Sequence, residues 1–145
     1  MDGLWCELPA NKCCTATLRH YSRPPLGFAT RVRCALRNSA YLVERLEAHP
    51  RCVLLLAPEF INVTFWWVPP RLAHLSHDAP EFLSQIGEVT RVIKSRMMTT
   101  GTVLITFVST PRFPNFWRMV FNDPAVTKAD IDFILDELDR LGADL

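Results

Sequence analysis

At 145 residues, 49% of them hydrophobic and 21% charged, the chain is long enough for one domain with a real core and too short for two, and its profile is not that of a disordered chain. The formal net charge is +1: sixteen basic residues, thirteen of them Arg, are scattered and offset by fifteen acids, so nothing points to a nucleic-acid partner. No apolar run approaches a membrane span, "CVLLLA" at 52–57 being only strand length, and the N-terminus lacks the charged and apolar regions of a secretory signal.

Residues 1–26 carry Pro9, Pro24 and Pro25 and no usable period, so an irregular arm is expected there. Five cysteines (Cys6, Cys13, Cys14, Cys34 and Cys52) form an odd count without a framework spacing and are expected as free thiols in a reducing cytosol. Cys13 and Cys14 with Cys6 and His20 fit no standard zinc spacing, so no metal site is expected.

From Gly27 the spacing sharpens. Val32, Ala35, Leu36, Ser39, Leu42, Val43 and Leu46 recur at i, i+3, i+4 and i+7, which predicts an amphipathic helix ending near His49, where Pro50 stops it. "CVLLLA" (52–57) and "INVTFWWV" (61–68) read as two strands of an antiparallel hairpin, broken by Pro58 and ended by Pro69-Pro70. Phe65 and Trp67 share one face of the second strand and Trp66 takes the other, all three expected in the core. His74 and His77, beside Asp78, fall in a polar stretch and are expected as solvated loop residues.

After Pro80, the spacing of Phe82, Leu83, Ile86, Val89, Val92, Ile93 and Met97 predicts a longer helix closed by basic Arg91, Lys94 and Arg96, with Gly101 as its stop. "TVLITFV" (102–108) and "FWRMVFN" (116–122) read as strands around the loop "STPRFP". The last helix has Thr127 as N-cap, Asp130 completing a capping-box pair, and Ile131, Ile134, Leu135 and Leu138 as its apolar face up to Gly142. Its acids, Asp130, Asp132, Asp136, Glu137 and Asp139, are expected on a solvated face. The order α-β-β-α-β-β-α predicts an α+β fold in which a mostly antiparallel four-stranded sheet is covered by helices.

One residue resists this pattern. Arg118 sits inside a strand among Phe116, Trp117, Met119, Val120 and Phe121, with no acid within four residues. A buried charge needs a partner. Either Arg118 lies near a sheet edge and snorkels to water, or its guanidinium clamps an anion such as a carboxylate. No Gly-rich phosphate loop, nucleophile elbow or paired-cysteine motif occurs.

Four segments, "PEFINVTFWWVPPRL" (58–72), "VIKSRMMTTG" (92–101), "NFWRMVFNDPAVT" (115–127) and "DIDFILDELDRLGADL" (130–145), carry a resemblance. From Gly27 to Leu145 the chain resembles the C-terminal small domain of the group II pyridoxal-phosphate-dependent amino-acid decarboxylases, nearest to glutamate and cysteine sulfinic acid decarboxylases. The resemblance implies the small domain of a fold-type-I enzyme, usually a cytoplasmic homodimer with its active site at the subunit interface. It implies pyridoxal 5'-phosphate as cofactor of the complete enzyme and cysteine sulfinate, aspartate or glutamate as substrate, the ending being slightly closer to the cysteine sulfinate branch.

The family's Asn-Phe-Phe-Arg segment corresponds to "NFWR" (115–118), so the resemblance implies that Arg118 binds the substrate α-carboxylate. Held out of plane with the cofactor, that carboxylate would leave as carbon dioxide while the cofactor takes up the electrons. No catalytic, cofactor-binding or metal-ligating residue is expected in this chain, because the Schiff-base lysine belongs to the large domain and Lys12, Lys94 and Lys128 do not match it. Catalysis by the chain alone is therefore not expected. Residues 1–26 do not resemble the segment that precedes this domain in the family, which suggests an alternative first exon, a misplaced start or a truncated copy. Thr64 stands where the family usually has Cys, and "ITFVSTPRFP" (105–114) replaces a segment of the Gly-Tyr-Gln-Pro type. The alternative function is a non-catalytic truncated paralogue, or a dimerisation or regulatory module.

Overall fold

The computed structural model describes residues 26–145. The arm expected over residues 1–26 lies outside them except for Leu26, which opens the first helix. Helix α1 spans Leu26–Ala48, β1 Cys52–Leu54, β2 Asn62–Trp67, α2 Pro80–Thr100, β3 Thr106–Val108, β4 Phe116–Val120 and α3 Lys128–Leu141. Three helices and a four-stranded antiparallel sheet, in strand order β1-β2-β4-β3, make an α+β fold, as expected. A short 3-10 turn, Pro70–Leu72, follows β2, which the double proline ends.

The strands are shorter than the apolar runs. β1 uses only the first half of "CVLLLA", though the Leu55 amide still donates to the Thr64 carbonyl at 3.0 Å. β3 begins only at Thr106, because the preceding segment is spent on α2 and α3: Lys94 donates Nζ to the Ile105 carbonyl at 2.6 Å, and Thr102 donates its hydroxyl to Glu137. Helix α2 starts with Pro80 at its first turn, where no amide is missed, and Gly101 closes it in the left-handed region at φ 66°. Its last turn carries no basic residue; Arg96 instead donates to the Leu141 carbonyl and both Asp144 oxygens, tying α2 to the end of α3.

The core is built on Trp67, Trp117, Phe65, Phe82, Leu42, Ile86, Ile93 and Ile131, all fully buried. Ala35, Ser39, Leu42 and Leu46 of α1 are buried, as expected. Leu36, however, is exposed, and Asn38, outside the expected face, is buried with its Nδ2 donating to the Val126 carbonyl at 2.8 Å; Ser39 Oγ donates to the Phe60 carbonyl at 3.3 Å. Helix α3 opens with the expected capping box between Thr127 and Asp130.

The acids of α3 are not one solvated face. Asp132 accepts from Tyr41 Oη and pairs with Arg45 Nε at 2.8 Å, fastening α3 to α1. Asp139 accepts from Trp67 Nε1 at 2.7 Å and lies 3.4 Å from His49 Nε2. Glu137 is buried, which its apolar spacing does not announce, because Arg140 and Thr102 satisfy both of its oxygens. The expectation of free thiols holds at Cys52 but not at Cys34, which is disulfide-bonded; spacing alone does not say which sulfurs meet. The other three cysteines, with the Cys6–Cys13–Cys14–His20 reading, lie outside the described residues.

Candidate functional site

β4 lies between β2 and β3, so Arg118 is not at a sheet edge. Directly paired residues of antiparallel strands point to the same side of the sheet. Arg118 is paired with Thr64 on one side and Thr106 on the other, Asn62 with Val120, and Val108 with Phe116. Asn62, Thr64, Trp66, Phe116, Arg118, Val120, Thr106 and Val108 therefore share one face, while Val63, Phe65, Trp117 and Met119 share the other, which is buried. On the first face Thr64, Trp66 and Phe116 are buried, whereas Arg118, Thr106, Val108 and Val120 are exposed. The guanidinium reaches water from an interior strand, on the exposed part of a half-covered face. The sheet-edge alternative is thereby corrected.

Its hydrogen bonds are specific. Arg118 Nε donates to Asn62 Oδ1 at 3.0 Å, reaching one pleat diagonally across to β2. The Arg118 carbonyl accepts from Thr106 Oγ1 at 3.3 Å. No carboxylate among the described residues pairs with Arg118, whereas Arg45, Arg91, Arg96 and Arg140 each have one. A guanidinium stays charged at any physiological pH, so this face carries a permanent, accessible positive charge with its terminal Nη groups uncommitted. Asn62 escapes notice in the sequence, since only the β2–β4 register brings it beside Arg118.

The segment before the arginine strand is well anchored. The Thr110 amide donates to the Phe113 carbonyl at 2.9 Å, closing a turn, and Phe113 packs edge-on against Trp66 at 6.0 Å. The Asn115 carbonyl accepts from both Trp66 Nε1 and Thr90 Oγ1 at 3.1 Å, and Asn115 Nδ2 donates to the Gly87 carbonyl at 3.0 Å. These bonds fix where β4 begins, and with it the level of Arg118 in the sheet. Trp66, which does much of this anchoring, is buried together with Phe65 and Trp67, as expected of all three.

Elsewhere the expected candidates do not converge. His74 and His77 are both exposed, and His77 stacks at 5.0 Å on Phe82. No group of three metal-ligating side chains forms among the described residues. Burial, then the charge of Asp139, pushes the Cys52 thiol up to about 12, which removes its nucleophilic form. No helix among the described residues is long and apolar enough to cross a membrane.

This arrangement of sheet and helices has counterparts in known proteins. Glutamate decarboxylase of Drosophila melanogaster is 43% identical over 106 residues, 72% of this chain and 21% of the relative. Cysteine sulfinic acid decarboxylase of Rattus norvegicus is 40% identical over 119 residues, 82% of this chain and 24% of the relative. The chain is homologous to the C-terminal region of the group II pyridoxal-phosphate-dependent decarboxylases. The crystal structure of mouse CSAD in apo form superposes with a TM-score of 0.82 at 36% identity, covering 92% of this chain and 28% of that one. The family thus shares the sheet and helices described above, while the chain spans about a quarter of its relatives' length. No family model matches the chain.

Proposed function

We propose that this chain is the substrate-carboxylate-binding part of an acidic amino-acid decarboxylase, with Arg118 as the carboxylate ligand. The observation that carries the reading is the guanidinium of Arg118, exposed on an interior strand, unpaired with any described acid, and held through Nε alone. A planar guanidinium matches a carboxylate through two parallel hydrogen bonds, which lysine cannot reproduce. Glutamate and cysteine sulfinate are the substrates that the relatives' names give, and aspartate is included as a further acidic amino acid. A cytoplasmic homodimer belongs to the same proposal.

The described lysines do not fit the covalent attachment of pyridoxal phosphate. The ammonium of Lys94 is committed to the Ile105 carbonyl, and that of Lys128 lies over the Tyr41 ring at 4.5 Å. Neither is available as a covalent anchor, so the cofactor would be held by residues other than these. What the chain itself supplies is orientation: a fixed positive charge that selects a carboxylate and holds it at a set height above the sheet.

The test is a chemical-shift titration of the isotope-labelled chain with sodium acetate. Binding is expected to be weak, since one exposed pair contributes about 1 kcal/mol or less. The backbone amides of Arg118, Val108 and Val120 should shift, and the response should vanish in Arg118→Ala. Equal shifts in both proteins would overturn the reading.

A further inference from the structure

We propose that Asn62 is a positioning residue that decides which edge of the Arg118 guanidinium meets an anion. The inference rests on the carboxylate reading of Arg118. A guanidinium has two kinds of bidentate edge, one built from Nε and an Nη, the other from the two Nη groups. Asn62 Oδ1 accepts the Nε hydrogen at 3.0 Å, and Nε has only one hydrogen to give. The side-on edge is therefore occupied, and a carboxylate is received end-on by the two Nη groups. The same bond narrows the rotamers of a long side chain that is otherwise exposed, so less freedom is lost when an anion arrives.

Asn62 is itself held in place. Its amide donates to the Glu59 carbonyl at 2.9 Å, and the Glu59 amide returns a bond to the Asn62 carbonyl at 3.3 Å. The tight turn between them puts Phe60 at φ 56°, a left-handed backbone that a bulky aromatic rarely adopts. The Phe60 ring is mostly exposed, so core packing of that ring does not compel the turn. Instead the buried Ser39 of α1 donates Oγ to the Phe60 carbonyl at 3.3 Å. A chain of contacts thus runs from α1 through the strained turn to Asn62 and on to the guanidinium. It gives a use to a buried polar serine and a backbone outlier that packing alone leaves unexplained.

The test follows the Arg118 Nε–H cross-peak of the 15N-labelled 145-residue chain, assigned by its loss in Arg118→Lys, with sodium acetate as probe. In the unaltered protein this proton should exchange slowly and stay still during the titration, while Val108 and Val120 shift. In Asn62→Ala its exchange should be about tenfold faster, the factor that corresponds to one hydrogen bond to a charged group. It should also begin to shift with acetate, because the side-on edge is now open. Asn62→Asp, which keeps the acceptor, should restore slow exchange; a merely structural asparagine would not show this rescue. Should Asn62→Ala lose its cooperative melting transition, Asn62→Ser takes its place, its hydroxyl being too short to reach Nε. Unchanged Nε–H exchange in the folded variant overturns the positioning role and leaves the carboxylate reading intact. Slow exchange without any acetate response in the unaltered protein sinks the carboxylate reading and, with it, the choice of edge.

Discussion

Gly142 lies flat against the indole of Trp67: a Cβ added there would come within 2.6 Å of Cζ3 and 2.9 Å of Cζ2. Its φ of −101° would suit any residue, so the glycine is required by the neighbouring ring rather than by the backbone. Trp67 is fully buried and holds Asp139 through Nε1, so it cannot retreat. Gly142→Ala should destabilise the chain by about 1–3 kcal/mol, the usual cost of overpacking. Urea denaturation followed by circular dichroism measures it; an unchanged midpoint would mean that the end of α3 is not seated on the ring.

Trp117 carries the opposite kind of tension. It is fully buried, yet its Nε1 has no hydrogen-bond partner. An unsatisfied buried donor costs about 1–3 kcal/mol, comparable with the apolar area that a smaller ring would forfeit. Trp117→Phe should therefore be close to neutral, whereas Trp117→Ala should cost about 3–5 kcal/mol. Comparing the two denaturation midpoints tests this, and equal losses would contradict it.

Glu137 predicts an acid limb of stability. The Arg140 fork, then the Thr102 hydroxyl, holds its carboxyl down to about 2, below its ordinary value of 4.5. The folded state binds this proton less readily than the unfolded chain, so the contribution is complete above about 4.5 and fades as pH falls toward about 2. Glu137→Gln should be less stable at neutral pH, and the difference from the parent should shrink across that window. Thermal melts at stepped pH read it; a gap that widens on acidification would refute the assignment.

The cap of α3 gives a local control. Thr127 accepts from the Asp130 amide at 3.3 Å while its own amide donates to Asp130 Oδ2 at 2.8 Å. Thr127→Ala should cost about 1 kcal/mol, with Thr127→Ser recovering most of it. Both are read from the melting transition. Failure of serine to recover would assign the loss to the threonine methyl instead of the cap.

How much of this is legible in the sequence differs from element to element. Helix α2 is legible in its buried positions and its Gly101 stop, since 3.6-residue spacing and a left-handed cap are local properties. The capping box of α3 is legible for the same reason. Leu36 and Glu137 are not: one is apolar and exposed, the other charged and buried, where Thr102, far along the chain, joins the nearby Arg140 on its carboxylate. β3 reads too long, since an apolar run does not show that its first residues are engaged by α2 and α3.

Arg118 marks the boundary between the two kinds of information. From residue types alone it follows that a permanent charge stands in an apolar strand without a nearby acid, and that the surrounding segments resemble those of a decarboxylase family. Side-chain type and local periodicity suffice for that. It took the folded chain to establish that β4 is an interior strand, that Arg118 is nevertheless exposed, and that Asn62, fifty-six positions away, takes its Nε hydrogen. Strand order and register arise from pairing between distant segments, and no local pattern specifies which two will meet.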